Sequence, residues 1–109
     1  MRRGLFSEKE RELRKKIAKE HELFQYKMLA SSAEAVYDAC HRIWFYECIY
    51  EYFQFAENIE KKFVDACLEE EDAMADLWKL YVKYEYLKVG TWEDVEEILN
   101  VFVERKGEA

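Results

Sequence analysis

Residues 42–55 read RIWFYECIYEYFQF, and seven of these fourteen side chains are aromatic. The fold turns on whether this stretch is a strand or a helix. As a strand, one face would carry Ile43, Phe45, Glu47, Ile49 and Glu51, mixing carboxylates into an apolar surface. At 100° per residue the polar side chains gather instead, with Glu47, Glu51 and Gln54 in one narrow sector. The stretch is a helix. Its remaining circumference is apolar apart from Arg42, which marks a helix central in its domain or partly covered by another molecule. The stripe Tyr37, Trp44, Cys48 and Phe55 is expected to face inward. The opposite flank, Tyr46, Tyr50 and Phe53, is then covered by a second layer of the bundle or by a partner.

The rest of the chain agrees with helix. It has 109 residues, no proline, and glycines only at 4, 90 and 107, so hairpin turns lack their usual residues. Upstream, Ser7 and Glu10 form a capping box, and Leu13, Ile17, Phe24 and Met28 follow at helical spacing with His21 in the gap. Glu10–Arg14 and Glu12–Lys16 have the favourable i,i+4 order. This basic helix is expected over 7–29, and an acidic helical body over 31–105. Ser31 and Glu34 form a second capping box ahead of Val36, Tyr37, Cys40, Ile43 and Trp44. Downstream, Ile59, Phe63 and Cys67 make a stripe that the run EEED (69–72) interrupts. Asp72 is a fitting N-cap for a helix carrying Met74, Leu77, Trp78, Tyr81 and Val82, which Gly90 would end. Thr91 with Asp94 caps the last helix, whose stripe is Val95, Ile98, Leu99 and Phe102. The expectation is one all-α domain, a compact bundle of four to five helices.

Composition excludes several classes. Half the residues are apolar and 38% are charged, which suits a globular chain rather than a disordered or membrane-spanning one. The highly charged N-terminus lacks the apolar stretch of a signal peptide. Three cysteines without a CxxC unit point to a reducing, cytoplasmic setting.

Candidate chemistry is sparse. Asp38 and His41 form one D-x-x-H unit, but a di-iron bundle needs two and Ala18 stands where the carboxylate before His21 would be. Cys40, Cys48 and Cys67 lack zinc-ligand spacing and read as small apolar side chains. No nucleophile comes with a positioned base, and no glycine-rich phosphate loop is present. The expectation is no enzyme, no metal and no cofactor. In the N-terminal segment Arg2, Arg3, Arg11, Arg14, Lys15, Lys16 and Lys19 alternate with Glu8, Glu10, Glu12, Glu20 and Glu22. That pattern describes a solvated, salt-bridged helix rather than an arm for nucleic acid.

Charge and aromatic content suggest binding. The net charge of −7 divides unevenly, with +4 in residues 1–30 and −11 in residues 31–109. Eighteen aromatic residues are many for a core of this size. They either line the rim of that core or anchor a partner, for which Tyr46, Tyr50 and Phe53 are the candidates.

Two segments carry a resemblance. SSAEAVYDACHRIWFYECIYEYF (31–53) and DAMADLWKLYVKYEYLKVGTWEDVEEIL (72–99) resemble the two blocks of a family of small proteins of unknown function from clostridial and other gut bacteria and their mobile elements. The similarity spans about residues 24–105, with Ala73 and Met74 where the family pattern has Pro-Leu. It implies a phage or mobile-element setting, where small acidic helical proteins often disarm host nucleases, and it carries over no functional residue. The resulting expectation is an anti-CRISPR-like inhibitor. Glu69, Glu70, Glu71, Asp72, Asp76, Glu93, Asp94, Glu96 and Glu97 would occupy a basic nucleic-acid channel of a CRISPR-associated or other host nuclease as phosphate mimics. No direct contact with nucleic acid or membrane is expected. The alternative is a homodimeric structural bundle without inhibitory activity.

Overall fold

The aromatic stretch is helical over its whole length and lies at the centre of an all-α arrangement with six helices among the described residues. The computed structural model describes residues 8–108. Its helices are α1 (Glu8–Leu29), α2 (Ala33–Asp38), α3 (Cys40–Phe55), α4 (Lys61–Leu68), α5 (Ala73–Lys83) and α6 (Trp92–Glu108). Helix α3 packs against α1, α5 and α6, and α4 is held between α1 and α6. The domain measures 48 × 29 × 25 Å. Its length reflects α1, whose 22 residues extend for about 33 Å and run past the core.

One feature raises the helix number among the described residues above the expected four to five. Ala39 sits at φ −94°, ψ 7°, in the sparsely populated bridge region, and divides the expected second helix into α2 and α3. Helix α5 and α4 are separate, as the EEED run implies, with Asp72 accepting from the Ala75 N–H at 3.1 Å. Helix α5 then ends at Lys83, seven residues before Gly90. The chain leaves the helix there because Leu87 and Val89 insert into the core on alternate positions while Lys88 stays outside. Gly90 is a turn residue at φ 145°, a conformation that favours glycine, immediately before α6.

Most local signals hold. Thr91 and Asp94 form a reciprocal capping box, with N–H to side-chain oxygen distances of 3.1 and 3.2 Å. Val95, Ile98, Leu99 and Phe102 are all buried, as are Ile59, Phe63 and Cys67. Other caps move. Ser32, rather than Ser31, is the N-cap of α2, accepting from the Ala35 N–H at 3.1 Å, while Ser31 donates to the Lys27 carbonyl. Ser7 lies outside the described residues.

The orientation of α3 reverses the expected one. Phe45, Tyr46, Ile49, Tyr52 and Phe53 are the buried side chains, whereas Tyr37, Trp44 and Phe55 are exposed and Cys48 is half-buried. A helix apolar around most of its wheel has little amphipathic bias, so its neighbours choose the buried face. Phe24 of α1 stacks on Tyr46 with ring centroids 4.1 Å apart, and Trp78 of α5 meets Phe45 edge-on at 5.3 Å.

Helix α1 is also more than a solvated basic helix. Arg14 is buried, and its guanidinium donates to the carbonyls of Phe53 and Ala56 at 2.6 and 2.7 Å. These are carbonyls at the end of α3, which a helix of its own cannot satisfy. Glu20 accepts from the backbone N–H groups of Ala73 and Met74 at 3.1 and 2.8 Å, so it caps α5 from another helix. Glu10 does approach Arg14, at 4.0 Å. Lys16, however, pairs with Glu20 at 2.5 Å rather than with Glu12.

Candidate functional site

The outward stripe of α3 presents Trp44, Cys48, Glu51 and Phe55 at successive helical turns. Trp44 is 49% exposed and Phe55 66%. These are large apolar surfaces to leave in water on a domain whose core is otherwise filled. Trp44 is held in place from both sides. Its ring lies about 3.6 Å from where a Cβ on Gly90 would be, and His41 stacks alongside at 6.1 Å between ring centroids. His41 itself exchanges a 3.0 Å hydrogen bond with the Tyr81 hydroxyl and meets Trp78 edge-on. The structure thus pairs His41 with Tyr81 rather than with Asp38.

The start of α6 runs beside this stripe. Asp94 places a carboxylate oxygen 4.0 Å from the same Gly90 Cβ position that Trp44 faces. Trp92, also exposed, packs edge-on against Tyr52 at 6.0 Å. Glu93 and Glu97 follow on the exposed side of the helix. Among the described residues no cation pairs with Glu51, Glu93, Asp94 or Glu97. The result is a surface of tryptophan, phenylalanine and uncompensated carboxylate, built from α3 and the first turns of α6.

The nine acidic residues singled out from sequence do not form one surface. Lys106, near the end of α6, pairs with Glu69 at 3.0 Å and with Glu70, and donates to the Ala66 carbonyl at 3.2 Å. Glu93 to Glu97 stand nine to thirteen residues earlier on the same helix, about 14–20 Å along its axis. The acids therefore divide into two groups at opposite ends of α6. Within the first, Glu69 and Glu70 share Lys106, which offsets one of their two charges, and Asp72 is spent as a cap. Asp76 is pushed up to about 6 by burial and by the adjoining Glu70 carboxylate. Of this group, Glu71 alone has an exposed carboxylate that meets no cation among the described residues. In the second, Glu96 accepts from the Tyr52 hydroxyl at 3.0 Å and Asp94 closes the capping box, while Glu93 and Glu97 are free to meet a partner.

The expected aromatic anchors are internal. Tyr46 and Phe53 are buried, and Tyr50 is half-buried with its ring stacked on His21 at 4.4 Å. Tyr46 and Phe53 are thus covered within this fold, and the large aromatic side chains left exposed on α3 and at the start of α6 are Trp44, Phe55 and Trp92 instead. One signal in the sequence does mark the outward side. Glu51 falls between Cys48 and Phe55 on their stripe, and an unpaired carboxylate is poorly placed in a core.

Reactive chemistry finds little support at this surface. Burial and the nearby Glu51 and Glu47 push the Cys48 thiol up, and burial pushes Cys67 up to about 12, so both are held protonated. Cys40 is exposed, contrary to its expected place in the core. No group of three or more His, Cys, Asp or Glu gathers to hold a metal among the described residues. No described helix is long and apolar enough to cross a membrane.

No family model, curated protein or solved structure matches this chain.

Proposed function

We propose that this protein is a binding module, not an enzyme, whose α3–α6 surface docks onto a basic, nucleic-acid-handling surface of another protein. The carrying observation is that exposed Trp44, Phe55 and Trp92 share the α3–α6 surface with the carboxylates of Glu51, Glu93, Asp94 and Glu97, none of which pairs with a cation among the described residues. Carboxylates of one sign steer the encounter with a cationic channel and set its register. Large aromatic anchors slow dissociation once the surfaces meet. The second acidic group, around Glu70, is tied up by Lys106 and contributes less. The resemblance to mobile-element proteins makes a host nuclease, CRISPR-associated or other, the partner class on this reading. The protein then acts as an inhibitor by occupying the nucleic-acid channel.

The test is competition with duplex DNA for purified CRISPR-associated and other DNA nucleases. This protein should displace DNA from at least one of them, with an affinity that falls as salt rises. Glu93→Lys with Glu97→Lys should weaken displacement mainly through the association rate, and Trp44→Ala mainly through dissociation. Failure to displace DNA from any nuclease, or equal displacement by these variants, would remove the proposal.

A further inference from the structure

Helix α1 runs past the core, and from Glu22 to Leu29 none of its residues is buried. This end of α1 and the adjoining side of α3 flank an open groove of about 430 Å³. Two of its lining rings are held fixed. Phe24 stacks on Tyr46 at 4.1 Å between ring centroids, and His21 stacks on Tyr50 at 4.4 Å. Tyr26, Met28, Leu29 and Ile43 complete the apolar lining. Tyr26 is 62% exposed and Leu29 81%, so the groove leaves large apolar side chains open to water. Its carboxylates are Glu22 and Glu47, the latter 3.1 Å from the buried His21 ring. Among the described residues no lysine or arginine lines it.

We infer that this groove docks a basic amphipathic helix of another protein, independently of the α3–α6 surface. Charge complementarity selects the occupant. An apolar groove whose charged lining is carboxylate alone matches a helix with an apolar stripe flanked by lysine or arginine. Lys27, the one cation between Glu22 and Leu29, lines a separate cavity together with Arg42 and Asp72. Other occupants meet repulsion. A second copy would bring its own Glu22 and Glu47 to this face, on a chain that already carries −7. An anionic lipid surface faces the same carboxylates. Geometry favours a helix as well, because two packed helices leave a groove that a third can fill lengthwise with side chains at i, i+3, i+4 and i+7. The stacked Phe24 and His21 give that helix a preformed seat, while Met28 is flexible enough to adjust to what enters.

Amide chemical-shift mapping of the full chain with synthetic helical peptides tests this. The probes are Leu–Lys peptides of about 18 residues, roughly five helical turns, with Leu, Ile or Phe on the apolar face. Leu–Glu peptides with the same apolar faces are the charge control. At least one Leu–Lys peptide should bind, shift the amides of 22–29 and 43–47, and weaken as salt rises. Its Leu–Glu counterpart should bind about tenfold more weakly or worse. Tyr26→Ser with Leu29→Ser alters exposed side chains, so the variant should fold while its affinity falls about tenfold or more. Trp44→Ala with Phe55→Ala should leave this binding unchanged, which separates the groove from the surface proposed for the nuclease. Shifts confined to the α3–α6 surface, equal binding of the Leu–Glu peptides, or no binding by any probe would overturn the inference. Self-association, or attachment to phosphatidylserine vesicles, that Tyr26→Ser with Leu29→Ser abolishes would overturn it as well.

Discussion

Glu20 on α1 accepts the backbone N–H of Met74 at 2.8 Å, fifty-four residues away in sequence. The same carboxylate holds the Ala73 N–H and pairs with Lys16, so one side chain of the first helix completes the start of the fifth. Hydrogen bonds to an ionised acceptor contribute about 1.5–3 kcal/mol each, and losing an N-cap costs about 1 kcal/mol. Glu20→Ala should therefore lower the unfolding free energy in urea by about 2–3 kcal/mol. Glu22→Ala, on the exposed side of α1, should change it by less than about 0.5 kcal/mol.

Arg14 closes the end of α3 as Glu20 opens α5. Arg14→Met keeps the apolar stem but leaves the Phe53 and Ala56 carbonyls without their donor. The expected loss is about 2–4 kcal/mol in the same measurement. Arg14→Lys should recover little of it, because an ammonium cannot fork between two carbonyls. Recovery by lysine would show that charge, rather than the paired geometry, matters here.

The two faces of α3 should respond oppositely to truncation. Phe53 is fully buried, and Phe53→Ala should cost about 3–5 kcal/mol. Phe55→Ala, two residues on and exposed, should cost less than about 1 kcal/mol. Thermal or urea unfolding of both variants checks the orientation of the helix directly. Equal losses would place Phe55 in the core.

Asp76 should give stability a pH dependence of unusual sign. Its ordinary value of 3.8 is raised to about 6 by burial first and then by the Glu70 carboxylate. Between those values the folded state binds more protons than the unfolded state, so this group's contribution falls as pH rises from about 4 to 6. Below that window both states are protonated and the contribution is fully present. Glu70, lowered by its hydrogen bond to Lys106, acts in the opposite direction and loses stability as pH falls. Asp76→Asn should thus be more stable than the parent chain at pH 7 and show a flatter profile between pH 4 and 6. A parent profile unchanged by Asp76→Asn would mean that Asp76 ionises at its ordinary value.

Local chemistry in the sequence determined the class and most of the helices. Thr91–Asp94 and Asp72 are caps that act within three residues, and the stripes Ile59–Phe63–Cys67 and Val95–Ile98–Leu99–Phe102 are periodic enough to name their own buried faces. No long-range information is needed to read them. The tertiary structure decided what local pattern leaves degenerate. Helix α3 is apolar nearly all round, so only the packing of Phe24 and Trp78 chooses Phe45, Tyr46 and Phe53 as its inner face and turns Trp44 and Phe55 outward. Helix α5 stops at Lys83 because Leu87 and Val89 have a core to enter, which nothing in the local pattern announces. Arg14 and Glu20 look like members of an alternating surface charge pattern, yet each is drawn inward by helix-end groups some forty to fifty residues away. The acidic residues split for the same reason. Charge composition counts them together, whereas the length of α6 sets Glu93 and Glu97 far from Glu69 and Glu70, and Lys106 pairs with the latter two alone.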